Sequence, residues 1–412
     1  MASESWLRKF KSAAAINLAD LFHPKGNVSI LAFEIAGLMS KLLHLWRSLS
    51  DDSLICLRNE TITLPGVRKL VSDDDAFLIA LACAELMDGV RSAAASTSDL
   101  CRRCADPALR QFFCLFKDFS DSGSDPFRWV MTWKEMQAKA KKMEGYVASA
   151  AALYKEMDEL AEADRGLGRP SKAEQFFLKR RRLKNLKHSS PWSSTFDCAV
   201  SLLVRSSFTI LARIKHVFGI PPITQTNSTF ISATVHPETP PPAATPASII
   251  ATSTAALVPP PTTVGAACLA PHYAKLIVQL ERRIQAPSKL ADGRDEMYGM
   301  MTARLRTMVR RRLRGLGRDL PRDVELAAEW TATIKEIMDW LGPVAHWTLR
   351  WHGERSFERW SAGAVIRINV LVFQTLYFAN REKVEAAIVE LLVGLNYIWR
   401  FEMEVRGKCM SL

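Results

Sequence analysis

Residues 371–400 read LVFQTLYFANREKVEAAIVELLVGLNYIWR, and this stretch decides the fold more directly than any other. Its apolar residues recur at spacings of four and three, at Val384, Ile388, Leu391, Leu395 and Ile398. This spacing is typical of an α-helix with one buried face, and Lys383, Glu385 and Glu390 lie off the apolar stripe. We therefore predict an amphipathic helix over about 381–404, preceded by another over about 361–379.

The rest of the chain has the same helical character. Alternating runs of β-branched residues and Asn-Gly or Asp-Gly hairpin turns are nearly absent. Residues 172–188, 196–217 and a segment from Pro271 past Ile284 also have helical patterns. A basic helix ended by Gly315 and a Trp-rich helix over about 323–341 complete the C-terminal part. The sequence predicts an all-α protein.

A stripe at heptad spacing dominates the N-terminal half. Its members are Trp133, Met136, Ala140, Met143, Val147, Ala150, Tyr154, Met157 and Ala161. Steps of three and four suit one long helix of an antiparallel bundle. A dimeric coiled coil is the alternative, which would make the protein a homo-oligomer, although Ala and Met are weak seam residues.

The Pro-rich segment 221–265 divides the chain into two blocks. It holds half of the chain's 20 prolines together with many Thr, Ser and Ala residues, a composition that cannot bury enough surface to fold. We predict a flexible, disordered linker there. The resulting order is a tail (1–27), a helical domain (28–220), the linker (221–265), a second helical domain (266–405) and a tail (406–412).

The composition indicates a protein that can form a hydrophobic core and whose net charge favours acidic partners. The 412 residues carry a formal net charge of +12, which favours acidic protein segments, anionic membranes or nucleic acid. The chain has eight cysteines, and its first residues show no secretory signal pattern. A reducing compartment with free thiols is therefore expected. The apolar runs 198–220 and 362–379 are broken by Arg or Lys, so no transmembrane segment is predicted.

Several long strings resemble a known plant family. They are LAFEIAGLMSK at 31–41, LWRSLS at 45–50, GVRKLVSDDD at 66–75, ILARIKHVFGI at 210–220, VGAACLAPHYA at 264–274 and WHGERSFE at 351–358, besides the opening stretch. Together they resemble the PSK simulator family, growth-related proteins tied to phytosulfokine signalling that pair N- and C-terminal domains of unknown function. The resemblance implies a growth regulator without an assigned reaction.

One departure from that family concerns the first residues. Longer relatives often begin Met-Gly, which suits N-myristoylation, whereas residue 2 here is Ala. The resemblance therefore implies a shorter member that does not carry myristate by this route.

A first basic run matches a simple nuclear-import pattern. Its cations are Lys179, Arg180, Arg181, Arg182, Lys184 and Lys187. A solvated helical face is the plain interpretation of such a run. The family's nuclear association favours import, so the predicted location is the nucleus, with the cytoplasm or the plasma-membrane periphery as the alternative.

A second basic run belongs to the predicted basic helix. Its candidate contact residues are Arg304, Arg306, Arg310, Arg311, Arg312 and Arg314. Leu305, Val309 and Leu313 recur every four residues, so the helix is expected to pack inward and leave an arginine face for an acidic partner or phospholipid headgroups. Nucleic acid is disfavoured because no helix-turn-helix, zinc finger or aromatic RNA-binding sheet is evident.

Four short motifs contain residue types that can carry chemistry. Cys101-Arg-Arg-Cys104 lacks the further ligands that a structural zinc needs, so buried thiols are expected. His346, His352 and Glu354 would need one shared face to bind a metal, and aromatic packing with hydrogen-bonded histidines fits better. Asp73-Asp-Asp75 indicates a helix N-cap. The stretch 166–172 has glycines and a Lys but not the spacing of a phosphate-binding loop.

No nucleophile, base or metal constellation emerges from these motifs. We therefore expect no enzyme, no cofactor and no metal. The predicted function is that of an adaptor in plant growth signalling, acting through helical protein–protein contacts. The alternative is a peripheral membrane or trafficking factor that binds anionic lipid through residues 304–318.

Overall fold

The computed structural model describes residues 27–165, 196–220, 255–285, 294–315, 323–356 and 370–410. Within these ranges the protein is all-α, as predicted, and its only extended pairing is an isolated bridge between Thr263 and Asn380. The helices are α1 (Asn27–Ser48), α2 (Asp51–Cys56), α3 (Pro65–Leu70), α4 (Asp75–Cys101), α5 (Pro107–Arg110), α6 (Phe112–Ser122), α7 (Trp133–Arg165), α8 (Phe196–Val217), α9 (Ala270–Gln285), α10 (Arg294–Met300), α11 (Ala303–Gly315), α12 (Val324–Ser356) and α13 (Arg381–Met410).

The helices form two compact units that do not follow chain order. The described part of the first unit comprises residues 27–50, 86–165 and 196–220. The second takes residues 51–85 from the N-terminal half and adds the described residues from 255 onward. Within α4 the division falls between Glu85 and Leu86. The N-terminal half of the sequence thus supplies helices to both units.

In the first unit, the heptad stripe of α7 packs against helices of the same chain. Met136, Ala140, Met143 and Ala150 are buried, and α7 contacts both α1 and α8. Trp46 of α1 donates from its indole Nε1 to Gln137 Oε1 over 3.3 Å. These contacts support the bundle interpretation of the stripe, while the side chains of Tyr154, Met157 and Ala161 lie outside the described residues.

An aromatic cluster fills the other end of the first unit. Phe208 of α8 stacks on Phe119 with ring centroids 4.8 Å apart and meets Trp129 edge-on at 5.1 Å. Next to it, the Lys215 ammonium donates to the carbonyl oxygens of Phe119 and Ser120, at 2.9 and 2.5 Å, and so caps the negative end of α6. Burial lowers the pKa of Lys215.

The second unit is built around α9, α12 and α13. The apolar stripe that opened the sequence analysis is buried there, with Val384, Ile388 and Leu391 fully enclosed. The helices approach so closely that a Cβ on Gly394 of α13 would lie 2.6 Å from Trp330 Cε3 of α12. A Cβ on Gly66 of α3 would lie 2.4 Å from the Trp340 carbonyl oxygen of α12. Only glycine fits at these two crossings.

Residues 255–265, the end of the predicted linker, belong to this folded unit. Val264 and Thr263 are buried, Val264 N donates to the Ala379 carbonyl over 2.9 Å, and Arg381 N donates to the Thr262 carbonyl over 2.9 Å. The backbone pairs here because the facing segment 370–380 offers unsatisfied groups. Residues 1–26 and 221–254, predicted as tail and linker, lie outside the described residues, and α13 continues past the predicted end at 405.

The predicted helix over 361–379 is wrong for the residues described, 370–379. They contain only a 3₁₀ turn at Val372–Gln374, whose start is capped because Leu371 N donates to Gln374 Oε1 over 2.8 Å. The apolar residues of this segment are buried, as their spacing suggested, but the segment is irregular and not helical. The adjoining helix α12 is longer than predicted, since it runs through Pro343 and Gly353 to Ser356.

Candidate interaction surface

The basic helix α11 is held in place from two sides within the second unit. Thr302 Oγ1 accepts from Leu305 N over 3.3 Å and caps the first turn. Just before it, His272 of α9 bonds through Nε2 to the Met300 carbonyl at 2.7 Å. Leu305 is fully buried, and Val309 and Leu313 pack on the core. The apolar face of α11 is therefore occupied inside the protein, as its spacing predicts.

Two of the six candidate arginines face α13 and form what we call the inner ridge, Arg304 and Arg312. Arg304 Nε lies 2.7 Å from Glu385 Oε2, and Arg312 Nε lies 3.2 Å from Glu390 Oε1. Arg304 also reaches Glu382 at 3.7 Å. The two side chains are one i, i+8 row of the helix, so they meet a matching row of carboxylates on α13. The inner ridge fastens α11 to α13.

Glu385 is the centre of this fastening, and sequence reasoning missed it. Its side chain is 0% exposed, although it was predicted to lie off the apolar stripe. Oε1 accepts from Tyr273 Oη and from Arg381 Nε, each over 2.8 Å. Burial raises the pKa of Tyr273, which keeps the phenol protonated as a donor. The arginines of α11, two of which face α13, are the sequence signal that could have indicated a buried acidic partner.

The other four arginines form the outer ridge, defined as Arg306, Arg310, Arg311 and Arg314. Tyr298 of α10 organises two of them. The Arg306 guanidinium carbon lies 4.9 Å from the Tyr298 ring centroid, and that of Arg310 lies 5.7 Å from it. Arg306 donates to the carbonyls of Tyr298 and Gly299, at 3.2 and 3.3 Å. Arg310 Nη2 donates to the Tyr298 hydroxyl oxygen.

Arg311 and Arg314 complete the outer ridge on the exposed side of α11. No carboxylate lies within ion-pair distance of any outer-ridge arginine in the part of the chain that the structure describes. Arg306, Arg310 and Arg314 follow one another at i, i+4 spacing, so their side chains are neighbours on the helix. The outer ridge is thus a row of guanidinium donors available for negatively charged groups of a partner.

A groove of about 450 Å³ lies elsewhere in the second unit, between α9, α12 and α13. Ile334, Met338 and Leu395 line its apolar part, while Glu281 and Lys335 stand among the charged residues at its edge. Because those charges are of both signs, the groove selects no partner by charge, and we assign it no occupant.

The Cys-x-x-Cys motif consists of buried free thiols. Cys101 and Cys104 are 1% and 3% exposed, and Cys104 Sγ donates weakly to the Leu100 carbonyl over 3.8 Å. Burial raises the pKa of each thiol to about 12, and for Cys104 the nearby Asp197 carboxylate adds to the effect. Such thiols are poor nucleophiles at neutral pH.

The two histidines of the third motif point to different partners. His346 Nε2 lies 2.6 Å from Glu281 Oε2, and His352 Nδ1 lies 3.2 Å from the Tyr377 hydroxyl. Both belong to the continuous helix α12, where a spacing of six residues separates their faces. They are hydrogen-bonded histidines, as predicted, and no group of His, Cys, Asp or Glu within the described ranges is arranged to hold a metal.

Trp351, the first residue of the WHGERSFE string, anchors the N-terminal segment of the second unit. Its indole Nε1 donates to Glu85 Oε1 over 2.9 Å, and Glu85 Oε2 accepts from Val372 N over 2.6 Å. The Trp351 and Tyr377 rings have centroids 4.5 Å apart. Trp351 therefore joins Glu85, at the end of the segment 51–85, to the C-terminal helices.

The acidic triplet 73–75 is a helix cap, as predicted. Asp74 Oδ1 accepts from Ala76 N over 2.9 Å at the start of α4. Asp75 forms an ion pair with Arg68. Two further predictions concern residues that the structure does not describe: the nuclear-import-like run 179–187 and the glycine turn 166–172. No helix in the described ranges has both the length and the apolar character to cross a bilayer.

Comparisons with known proteins match two parts of the chain to family models and most of its length to curated relatives. Residues 30–86 match the family "Domain of unknown function (DUF3475)", and residues 263–350 match "Protein of unknown function (DUF668)". Protein PSK SIMULATOR 1 of Arabidopsis thaliana is 25% identical over 407 residues, which cover 91% of this chain and 56% of that relative. Protein PSK SIMULATOR 2 of the same plant is 23% identical, covering 91% of this chain and 60% of the relative. No solved structure matches the chain.

These findings define an all-helical protein that carries two plant domains of unknown function. Over about nine tenths of its length the chain is similar to the PSK SIMULATOR proteins of Arabidopsis thaliana. It spans less than two thirds of the length of the curated relatives that it matches.

Proposed function

We propose that this chain is a non-enzymatic adaptor that promotes plant growth, in phytosulfokine-type signalling, by binding acidic segments of partner proteins. The observation that carries the proposal is the outer ridge, because it holds four arginines in a row without a carboxylate from the described residues. A helix whose apolar face is already buried has only this charged face to offer. Charge complementarity makes acidic protein segments its natural partners.

The process is suggested by the relatives. Two of them are named Protein PSK SIMULATOR 1 and Protein PSK SIMULATOR 2, which links those plant proteins to PSK by name. The process comes to this chain as part of the proposal, because the match runs over nine tenths of the chain but only part of each relative.

A protein partner fits the surface better than a membrane. A helix that lies in a membrane interface needs a free apolar face to insert between the lipids. In α11 that face is formed by Leu305, Val309 and Leu313, which pack inside the second unit. Lipid binding would rest on charge alone and would be strongly weakened by salt.

The nucleus is the proposed location. This part of the proposal rests on the basic run 179–187 in the sequence, which satisfies a simple import pattern. It is tested by imaging a fluorescent fusion of the full chain in plant cells, beside a variant with Lys179, Arg180, Arg181 and Arg182 changed to Ala. Loss of nuclear signal in the variant is expected. Signal at the cell periphery in both proteins would overturn the nuclear location.

The adaptor function is tested by growth. Plants expressing the wild-type chain should grow longer roots, in the presence of the phytosulfokine peptide, than plants expressing a variant with all four outer-ridge arginines changed to Gln. Protein levels are matched by immunoblot. A variant with Arg312 changed to Gln, on the inner ridge, serves as the control and should behave as the wild type.

Two results would contradict the proposal. If the chain has no effect on growth at matched levels, the growth function is wrong. If the outer-ridge variant and the wild type promote growth equally, the outer ridge is not the contact surface.

A further inference from the structure

The structure points to a more specific partner chemistry at the outer ridge, and this inference rests on the proposed function. We infer that the ridge around Tyr298, Arg306 and Arg310 recognises a phosphorylated side chain within an acidic protein segment. The argument concerns how the donors are fixed, how many they are, and what they lack.

The donors are fixed before any partner arrives. Arg306 is tied to two backbone carbonyls, and Arg310 is tied to the Tyr298 hydroxyl oxygen, while both guanidinium groups lie against the Tyr298 ring. A side chain that is already ordered loses less conformational entropy on binding. Two cations held on one aromatic ring also repel each other, so a bound anion between them would relieve that repulsion.

The number of donors exceeds what a carboxylate can use. Because Arg310 donates to the Tyr298 hydroxyl oxygen, the phenol keeps its own proton to donate outward. Arg314 stands one helical turn beyond Arg310, and Arg311 is a neighbour of Arg314 at i, i+3 spacing. A phosphoryl group brings three acceptor oxygens and nearly two negative charges, whereas a carboxylate brings two oxygens and one charge. Guanidinium forks match the oxygens of a phosphoryl group in pairs.

The surface also lacks what other anions would need. The outer ridge consists of arginines without a lysine, and its exposed side carries no large apolar residue besides Tyr298, which is 40% exposed. That composition favours directed hydrogen bonds over the diffuse charge attraction of a lipid surface. Tyr298 adds an aromatic ring that can pack against a partner's side chain.

The test compares three labelled peptides of one acidic sequence that differ at a single position, which is phosphoserine, Glu or Ser. Fluorescence anisotropy with the full chain measures each dissociation constant. The phosphoserine peptide should bind about tenfold more tightly than the Glu peptide, the equivalent of one charge-assisted pair. The Ser peptide should bind most weakly.

Variants assign the effect to the ridge. Arg310→Gln should abolish the preference for phosphoserine over Glu, and Arg310→Lys, which keeps the charge but removes the fork, should lower it severalfold. Arg312→Gln on the same helix removes the same charge from the inner ridge and should keep the preference. Tyr298→Phe keeps the ring without the hydroxyl. It should weaken binding of the phosphoserine peptide and leave binding of the Glu and Ser peptides unchanged. Far-UV circular dichroism and thermal melting confirm that each variant is folded.

The outcomes separate this inference from the proposed function. Equal affinity for the phosphoserine and Glu peptides overturns the inference and leaves an acidic-segment adaptor standing. Absence of binding to all three peptides contradicts both. Equal losses in Arg310→Gln and Arg312→Gln would mean unspecific charge attraction and overturn the inference. Vesicles containing a phosphoinositide serve as a further probe, and binding to them without binding to any peptide would assign the ridge to lipid.

Discussion

At the scale of single residues, Glu385 has the greatest effect on the second unit. A carboxylate without solvent contact is costly unless it is paired, and here Tyr273 and Arg381 donate to Oε1 while Arg304 lies within ion-pair distance of Oε2. Because these groups come from three separate segments, one side chain ties α9, α11 and α13 together. This tie is one of the contacts that position α11 and hence the outer ridge.

Changing Glu385 to Ala should lower the free energy of unfolding by about 3 kcal/mol, the lower end of the range for breaking a buried pair, because both arginines retain access to solvent. Urea unfolding followed by tryptophan fluorescence measures the change. The matched control is Glu382→Ala, whose carboxylate is 83% exposed and lies 3.7 Å from the same arginine. It should cost less than about 1 kcal/mol. Similar losses in both variants would contradict the central role of Glu385.

The buried thiols predict a dependence of stability on pH. In the folded protein the pKa of Cys101 and that of Cys104 are each about 12, whereas the ordinary value is 9.0. Between these values the folded state holds protons that the unfolded state has lost. The contribution of these two thiols to the free energy of unfolding should therefore be constant below about pH 9 and fall as the pH rises above it. Denaturant titrations from pH 7 upward measure the decline, and a Cys101→Ala, Cys104→Ala variant should show less of it.

At the scale of helices, contact faces decide where a small residue is required. α13 crosses α12 so closely at Gly394 that the missing side chain is part of the packing. α7 carries Gly145 in its exposed middle, where a Cβ would meet nothing within 4 Å. The same residue type thus has opposite roles in two helices, and only the neighbouring helix distinguishes them.

Gly394→Ala and Gly145→Ala should change stability in opposite directions. At Gly394 the added methyl group collides with Trp330 and Ile334, which should cost about 1–3 kcal/mol by overpacking. At Gly145 it lowers the backbone entropy of the unfolded chain without a clash in the folded helix, which should stabilise the protein by up to about 1 kcal/mol. Thermal melting of both variants measures the two signs. A stabilised Gly394→Ala variant would show that the crossing of α12 and α13 is looser than described.

At the scale of the whole molecule, packing does not respect the order of the chain. Residues 51–85 come from the N-terminal half but belong to the second unit, where Glu85 joins Trp351 and the 3₁₀ turn at Val372–Gln374. Such pairing of segments far apart in sequence costs chain entropy that many contacts must offset. It also means that the C-terminal domain of unknown function lacks part of its unit when taken alone.

Glu85→Ala should disturb residues far along the chain. Removing its carboxylate takes away the acceptor of the Trp351 indole and that of the Val372 amide, which should cost about 2 kcal/mol. Hydrogen exchange read by mass spectrometry should show faster exchange in peptides covering 345–356 and 370–380. Asp99→Ala, at an exposed position of the first unit on the same helix, is the control and should leave those peptides unchanged. Effects confined to peptides near Glu85 would contradict the assignment of this segment.

Much of the fold could be predicted because an amphipathic helix is recognisable from the spacing of nearby apolar residues. The stripes of α9, α11 and α13, the helix α8 over 196–217, the acidic cap of α4 and the all-α class were each predicted from residues within a few turns of one another. The failure at 370–379 has a local cause as well, since an apolar run fits a buried irregular segment as well as a helix. That α12 continues through Pro343 could not be predicted from local spacing. A proline normally breaks or kinks a helix, so only packing against neighbouring elements decides whether the helix continues.

What the sequence alone determined is which stretches are helical and which face of each helix is apolar, because those properties depend on neighbours three and four residues away. Only the tertiary structure decided that residues 51–85 join the second unit, that Glu385 is buried, and that the arginines of α11 divide into an inner and an outer ridge. These depend on groups brought together from positions tens to hundreds of residues apart, where spacing along the chain carries no information about distance in space.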